Sequence, residues 1–483
     1  MRNLTMMTDL YQLTMMYGYF KENVHEREAV YDVFYRRTEG FGGYAIMAGL
    51  EQLIEFIRDL HFSAEDIAYL KTLGLFDDEK FFDYLRDFKF TGEIYAMPEG
   101  TVVFPYEPLV RVKAPIAQAQ LIETAMLTII NHQTLIASKA SRVVYAAKGD
   151  IVMEFGLRRA QGPDAGIYGA RAAVIGGCNS TSNVLTGEMF DIPVSGTHAH
   201  SWIMSFDSEL DAFRAYARTF PDACLLLVDT YDTIGSGVPN AITVFKELAA
   251  AGHKPLGIRL DSGDLAYLSK VCRRMLDEAG FPDAIICASS DLDENLIHEM
   301  KAQGACINSW GVGTKLITSK DCPALGGVYK LAAMEMKPGA PLEPKIKISE
   351  NFWKVTNPGY KKVVRLYGYT TGMAIADLIM LDDETIDETK PLTIFDPLEP
   401  WKKTHLSKFK MKELLIPVFI DGKQVYESPS VSEIQEYCKA DLDTFWDEYR
   451  RLVYPHLYKV DLSDGLYELK QKMINEHTKY ERK

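Results

Sequence analysis

The segment PVSGTHAHSWIMSF sets His198 and His200 two residues apart, directly after Gly196-Thr197 and just before Trp202. Such a pair suits metal ligation, acid–base chemistry, or nothing beyond a polar loop. Zinc would need a third protein ligand and an open position, and no HExxH, HxxEH or nearby cysteine cluster accompanies the pair. Three further clusters carry ligand chemistry. EFGLRRAQGPDAG ends an apolar run on Arg158 and Arg159 and enters a glycine-rich loop. A planar guanidinium donates to two oxygens at once, which suits a diphosphate; a solvated arginine pair is the plainer reading. GIRLDSGD gathers Arg259, Asp261, Gly263 and Asp264, groups that could bind phosphate, ribose hydroxyls and a hydrated Mg²⁺, which takes only one or two protein carboxylates. The same residues could equally open a helix, with Asp261 or Ser262 as N-cap and Asp264 in the first turn. SWGVGTKLITS brings Gly311, Gly313 and Thr314 ahead of a new helix, where backbone N–H groups and close approach favour phosphate. It lacks the lysine spacing of a Walker A loop, and a tight turn fits it as well.

From about residue 150 the chain repeats one pattern. IVMEFGLRR, CLLLVDTYD, PLGIRLDSGD, AIICASSDLD and ACINSWGVGT are short apolar runs that stop on charged, hydroxyl or glycine residues. Between them lie the amphipathic stretches PNAITVFKELAAAG, DLAYLSKVCRRMLDEAG and DENLIHEMKAQG, each closing on a glycine where a helix C-cap belongs. Asp229, Asp261 and Asp291 recur at about thirty residues, the length of one βα unit. The alternation predicts parallel strands with crossover helices, in a barrel or an open doubly wound sheet. Either places the ligand at the carboxyl ends of the strands, where the polar endings would converge. Before this region, TDLYQLTMMYGYF predicts a helix opening at Thr8 or Asp9. EIYAMPEGTVVFPYEPLVRVKAP predicts short strands between turns, and QLIETAMLTIINHQTLIASKASRVVYAA a long helix broken near Asn131. Beyond about residue 385 come a proline-rich connector, a hairpin in LLIPVFIDGKQVYESP, and a charged helical C-terminus.

The chain has 483 residues and a formal net charge of −14, which argues against nonspecific nucleic-acid binding and anionic membrane surfaces. A small anionic ligand stays open, because screening limits distant charges to about 8 Å of reach at physiological salt. The seven cysteines form no CxxC pair, so neither a disulfide framework nor a zinc ribbon is expected. No apolar run approaches the roughly 20 residues of a membrane span, and the N-terminus lacks a cleavage-site pattern. A cytoplasmic protein is expected.

Seven strings, TDLYQLTM, EFGLRRAQGPDAG, SGTHAHSW, LLLVDTYDT, GIRLDSGDL, GVGT and LGGVYKL, occur in an order that resembles the nicotinate phosphoribosyltransferases. The resemblance is strong from residue 8 to about residue 331 and looser through the tail. It implies an irregular TIM-like α/β barrel with an N-terminal mixed α/β domain and a C-terminal extension. The expected boundaries are 1–135 for the mixed domain, completed by part of 350–400, then 136–349 for the barrel and 350–483 for the C-terminal region. It implies that nicotinic acid and 5-phosphoribosyl-1-diphosphate give nicotinate mononucleotide and diphosphate, coupled to ATP hydrolysis, with Mg²⁺ present. A homodimer with shared active sites is implied too. In the family's GTxxH pattern the last histidine is phosphorylated by ATP, which falls on His200 and leaves His198 without a role. Nicotinate contacts fall on Tyr11, reaching in from the partner subunit, and on Thr197 and Arg259. Phe155 would stack on the pyridine ring, Arg158 would hold diphosphate, and Asp229 would orient His200. Gly313, Thr314 and Asp261 would meet the phosphoribosyl donor, with Asp261 also toward Mg²⁺. Ser182 falls where related nicotinamide enzymes carry an aspartate that selects the amide, so the repelling charge is absent here. The competing readings are a nicotinamide-specific enzyme, a phosphosugar aldolase or isomerase barrel, and a non-catalytic ligand-binding barrel. The aldolase needs a Schiff-base lysine or general base at a strand end, and the five runs offer neither.

Overall fold

Every apolar run between residues 150 and 312 is a strand in the computed structural model, which describes residues 3–36, 42–351 and 354–478. The strands are β1 (Ile151–Glu154), β2 (Ser180–Thr181), β3 (Leu225–Leu227), β4 (Gly257–Leu260), β5 (Ile285–Ser290) and β6 (Ser309–Val312). They pair in the order β2-β1-β6-β5-β4-β3, all parallel. Crossover helices Pro163–Ile175, Val238–Ala250, Leu265–Glu278 and Glu294–Ala302 lie between consecutive strands. Two of these helices stop just before Gly280 and Gly304, whose φ values of 90° and 76° only glycine adopts without strain.

Of the two arrangements the alternation allows, a barrel or an open sheet, no closed barrel is found: among the described residues β2 and β3 share no ladder, and the sheet is an open row. It is nevertheless strongly curled. Met153 of β1, Leu225 of β3 and Cys287 of β5 share one buried cluster, although β1 and β3 stand four places apart, about 19 Å in a flat sheet. This fold belongs to one compact unit, residues 136–323 with 430–435.

The second unit comprises residues 1–135, 324–429 and 436–483. It holds a seven-stranded antiparallel sheet in the order Leu342–Pro344, Gly327–Glu335, Glu28–Tyr35, Val110–Pro115, Glu93–Ala96, Ile416–Ile420 and Lys423–Gln424. A four-stranded sheet adds Phe409–Glu413, Lys361–Gly368, Ala374–Leu381 and Lys459–Leu462. Its buried face is built on Val364, Leu366, Leu378 and Phe409, each contributing about 1.5–3 kcal/mol by leaving water. Helix Leu10–Lys21 opens on Asp9 with Gln12 completing a capping box. Helix Glu123–Ala147 runs unbroken for 25 residues. The break expected near Asn131 does not occur, because Asn-His-Gln carries neither glycine nor proline and its propensity cost is only tenths of a kcal/mol per residue. Among the described residues no helix is long and apolar enough to cross a membrane.

Candidate active site

The two histidines do different things. The loop that carries them pairs with β2: Val194 bridges Thr181, and Ser195 N–H donates to Thr181 O at 3.0 Å. His198 is buried; its Nε2 accepts from Leu227 N–H of β3 at 3.3 Å. Its ring meets Tyr216 edge-on at 4.7 Å. Burial pushes this imidazole down to about 4, so the ring is neutral. His200, which opens the short helix His200–Met204, is half-buried. Its Nδ1 lies 3.0 Å from Thr230 Oγ1 and its Nε2 lies 3.7 Å from Asp261 Oδ2.

Arg259 leaves β4 beside this loop and donates from Nη1 to Thr197 Oγ1 at 2.7 Å. Its Nε atom is buried without a hydrogen-bond partner. Asp261 follows the end of β4, donates its N–H to Asp229 Oδ2 at 2.8 Å, and accepts from Ser289 Oγ at the end of β5. Ser262 Oγ also donates to Asp229 Oδ2, at 2.7 Å. Asp229, the residue expected to orient His200, keeps its Oδ1 buried without a hydrogen-bond partner. Asp229 Oδ2 is occupied by the neighbouring βα loop, and the group on His200 Nδ1 is the hydroxyl of Thr230, one residue later. The capping alternative, with Asp261 or Ser262 as N-cap and Asp264 in the first turn, is corrected: Asp264 itself is the N-cap of Leu265–Glu278 and accepts from Tyr267 N–H at 3.0 Å. Asp261 is left half-exposed.

Phe155, at the end of β1, packs over β6. A Cβ on Gly311 would fall 2.6 Å from the Phe155 ring, so the absent side chain is the space the ring occupies. Gly313 lies against the Phe155 carbonyl, and Thr314 opens a one-turn helix, Thr314–Ile317. Glu154 is buried; it accepts from Gly156 N–H and from Thr181 Oγ1, the latter at 2.7 Å. Burial raises this carboxyl, while those two donors pull it back. It ties the loop bearing Phe155 and Arg158 to the end of β2, where half-buried Ser182 donates its N–H to Glu154 O at 3.0 Å. Arg158 is solvent-exposed in a single 3₁₀ turn.

Phe155, Thr197, His200, Asp229, Arg259, Asp261, Gly313 and Thr314 thus stand at or just beyond the carboxyl ends of adjoining strands. Tyr11 belongs to the other unit, where its exposed ring donates from the hydroxyl to Glu123 Oε2 at 3.2 Å, and burial with that carboxylate raises it to about 12. Among the described residues no three His, Cys, Asp or Glu side chains gather as a metal cage. Asp261 offers a half-exposed carboxylate beyond the end of β4, which fits a cation held mainly by water and ligand phosphate. Thr230, Ser289 and Glu154 were missed by sequence reasoning. Each is a polar residue ending an apolar run, so the signal was present, but nothing in the runs says which polar ending faces the site.

Three family models match the chain: the nicotinate phosphoribosyltransferase N-terminal domain at residues 6–131, the nicotinate phosphoribosyltransferase family at 151–386, and its C-terminal domain at 360–470. A nicotinate phosphoribosyltransferase of Bacillus subtilis is 48% identical over 475 residues, 98% of this chain and 96% of that protein. The Homo sapiens relative of the same name is 31% identical over 95% of each chain. The crystal structure of human nicotinic acid phosphoribosyltransferase superposes with a TM-score of 0.85, at 29% identity, over 96% of this chain and 99% of that one. A nicotinate-nucleotide pyrophosphorylase from Pyrococcus furiosus, 22% identical, shares the fold with a TM-score of 0.70 over 92% of this chain and 96% of that one.

Proposed function

The chain belongs to the nicotinate phosphoribosyltransferase family, and from that membership we propose how its residues divide the work. The enzyme joins nicotinic acid to 5-phosphoribosyl-1-diphosphate, giving nicotinate mononucleotide and diphosphate for NAD biosynthesis. The pyridine nitrogen already carries a neutral lone pair, so attack on the anomeric carbon needs no general base. Catalysis comes from holding the two reactants in line and from stabilising charge as diphosphate departs.

Arg259 and Thr197 hold the nicotinate carboxylate. The observation that carries this reading is the buried, unpartnered Nε of Arg259 beside its bond to Thr197. An unsatisfied buried donor costs about 1–3 kcal/mol, which a ligand carboxylate would recover. Phe155 stacks on the ring, and uncharged Ser182 near it leaves the acid unrepelled. Tyr11 of a second copy completes the pocket in a homodimer. Arg158, Gly313 and Thr314 take the phosphates. Asp261, with donor oxygens, would hold Mg²⁺, which supplies charge neutralisation to the leaving diphosphate. The irregular barrel belongs to the same reading. Val194 meets β2 and His198 meets β3, so four residues, at most about 14 Å of chain, link the two sheet edges. A cytoplasmic location fits this metabolic role.

His200 accepts phosphate from ATP, with Thr230 fixing Nδ1 and Asp261 facing Nε2. Phosphorylation reshapes the site so that substrates bind more tightly, and hydrolysis later aids product release; about 3 kcal/mol would shift affinity roughly 100-fold. His200→Asn should abolish ATP hydrolysis and histidine labelling from γ-labelled ATP while keeping part of the ATP-independent synthesis. Continued labelling at histidine in that variant would remove His200 from the role.

A further inference from the structure

We propose that His198 is a positioning residue: it anchors the histidine loop to the β3 edge of the sheet, four residues after Val194 anchors the same loop to β2, and so sets Thr197 against Arg259 and His200 against Thr230. The inference rests on the roles proposed above for Thr197 and His200. Val228 N–H is spent on Arg259 O of β4, so the Leu227 N–H points the other way, off the edge of the sheet. His198 Nε2 takes that donor at 3.3 Å. The Nδ1 atom faces the Ala199 carbonyl at 3.4 Å, which can only accept, so Nδ1 carries the proton and Nε2 the lone pair. The ring is fixed by Tyr216 at 4.7 Å and Phe213 at 6.5 Å.

Only a neutral imidazole serves, since an imidazolium would set one N–H against another. Burial first, and the charges of Arg259 and His200 after it, keep the ring neutral far below physiological pH. The two ligand-facing side chains at 197 and 200 then bracket a fixed point. A loop free at 198 would keep its tie to β2 but lose its register at β3. The cost would fall on nicotinate binding and on phosphate acceptance rather than on the sheet itself.

The test compares His198→Phe, which keeps the ring packing without an acceptor, with His198→Gln, whose amide oxygen keeps an acceptor. Both are measured beside wild type and His200→Asn. The readouts are melting temperature, the KM and kcat for nicotinate without ATP, and histidine labelling from γ-labelled ATP. The Phe variant should melt near wild type, raise the nicotinate KM about ten-fold or more with a smaller change in kcat, and slow labelling comparably; Gln should restore most of the KM. A folded Phe variant with wild-type KM and labelling overturns the proposal. So does a loss confined to kcat in proportion to a lowered folded fraction. If the Phe variant does not fold, the Gln variant decides, because a raised KM in a normally melting Gln protein contradicts the acceptor role. Labelling that persists in His200→Asn would remove the phosphoacceptor reading, while the nicotinate KM still judges His198 through Thr197.

Discussion

In the proposed reading, acid recognition turns on Arg259. Its Nη1 is spent on Thr197 and its Nε is buried and unpaired, so the guanidinium is already aimed when substrate arrives. Lysine keeps the charge but loses the planar fork. Arg259→Lys should raise the nicotinate KM by about 10–100-fold, the loss of one charge-assisted bond of roughly 1.5–3 kcal/mol. Steady-state kinetics with nicotinate varied at saturating phosphoribosyl donor checks this; an unchanged KM would place the carboxylate elsewhere. At this scale the sequence was partly legible. Arg259 and Asp261 stand out because a strand ends between them, whereas spacing left the His198–His200 pair open and only the resemblance to the family singled out His200. Thr230 was hidden behind Asp229, since both end the same apolar run and only the fold shows which of them turns toward the imidazole.

Elements were legible wherever local chemistry decides them. Apolar runs with polar endings became strands, and the glycines at 252, 280 and 304 closed the helices they followed. The two-residue strand Ser180–Thr181 was not legible, because its pairing with β1 and with Val194 comes from tertiary context. Between β1 and β6 the determining feature is an absence, the missing side chain at Gly311. Gly311→Ala would press a methyl to 2.6 Å from the Phe155 ring and tilt it off its stacking position. That variant should lose activity by about ten-fold or more while its melting temperature falls only a few degrees, since overpacking costs about 1–3 kcal/mol. Paired kinetics and thermal melts check this, and undiminished activity would exclude a stacking role for Phe155.

Over the whole molecule, one buried network matters for stability in the larger unit. Arg365 is fully buried, bonds Asp377 through Nε and Nη2, and reaches Asp441 through Nη1 at 3.0 Å. Its Nη2 also donates to Val102 O at 2.6 Å, so segments far apart in sequence share one cation. Arg365→Met strands two buried carboxylates and should cost about 3–5 kcal/mol, read from denaturant midpoints; a loss under about 1 kcal/mol would show the network to be replaceable. It was not legible in the sequence, because two partners of Arg365 lie far along the chain, Asp441 at 76 residues and Val102 at 263. The strands that carry Arg365 and Asp377, Lys361–Gly368 and Ala374–Leu381, are neighbours in sequence and pair with each other, and only the side-chain bonds of Arg365 reach far along the chain. Catalysis by this enzyme is read in one assay. Purified protein is incubated with nicotinate, 5-phosphoribosyl-1-diphosphate and Mg²⁺, with and without ATP, and nicotinate mononucleotide is followed. Mononucleotide should form from nicotinate far faster than from nicotinamide at equal concentration, and ATP should raise the yield. No mononucleotide under either condition would rule out nicotinate phosphoribosyl transfer by this protein.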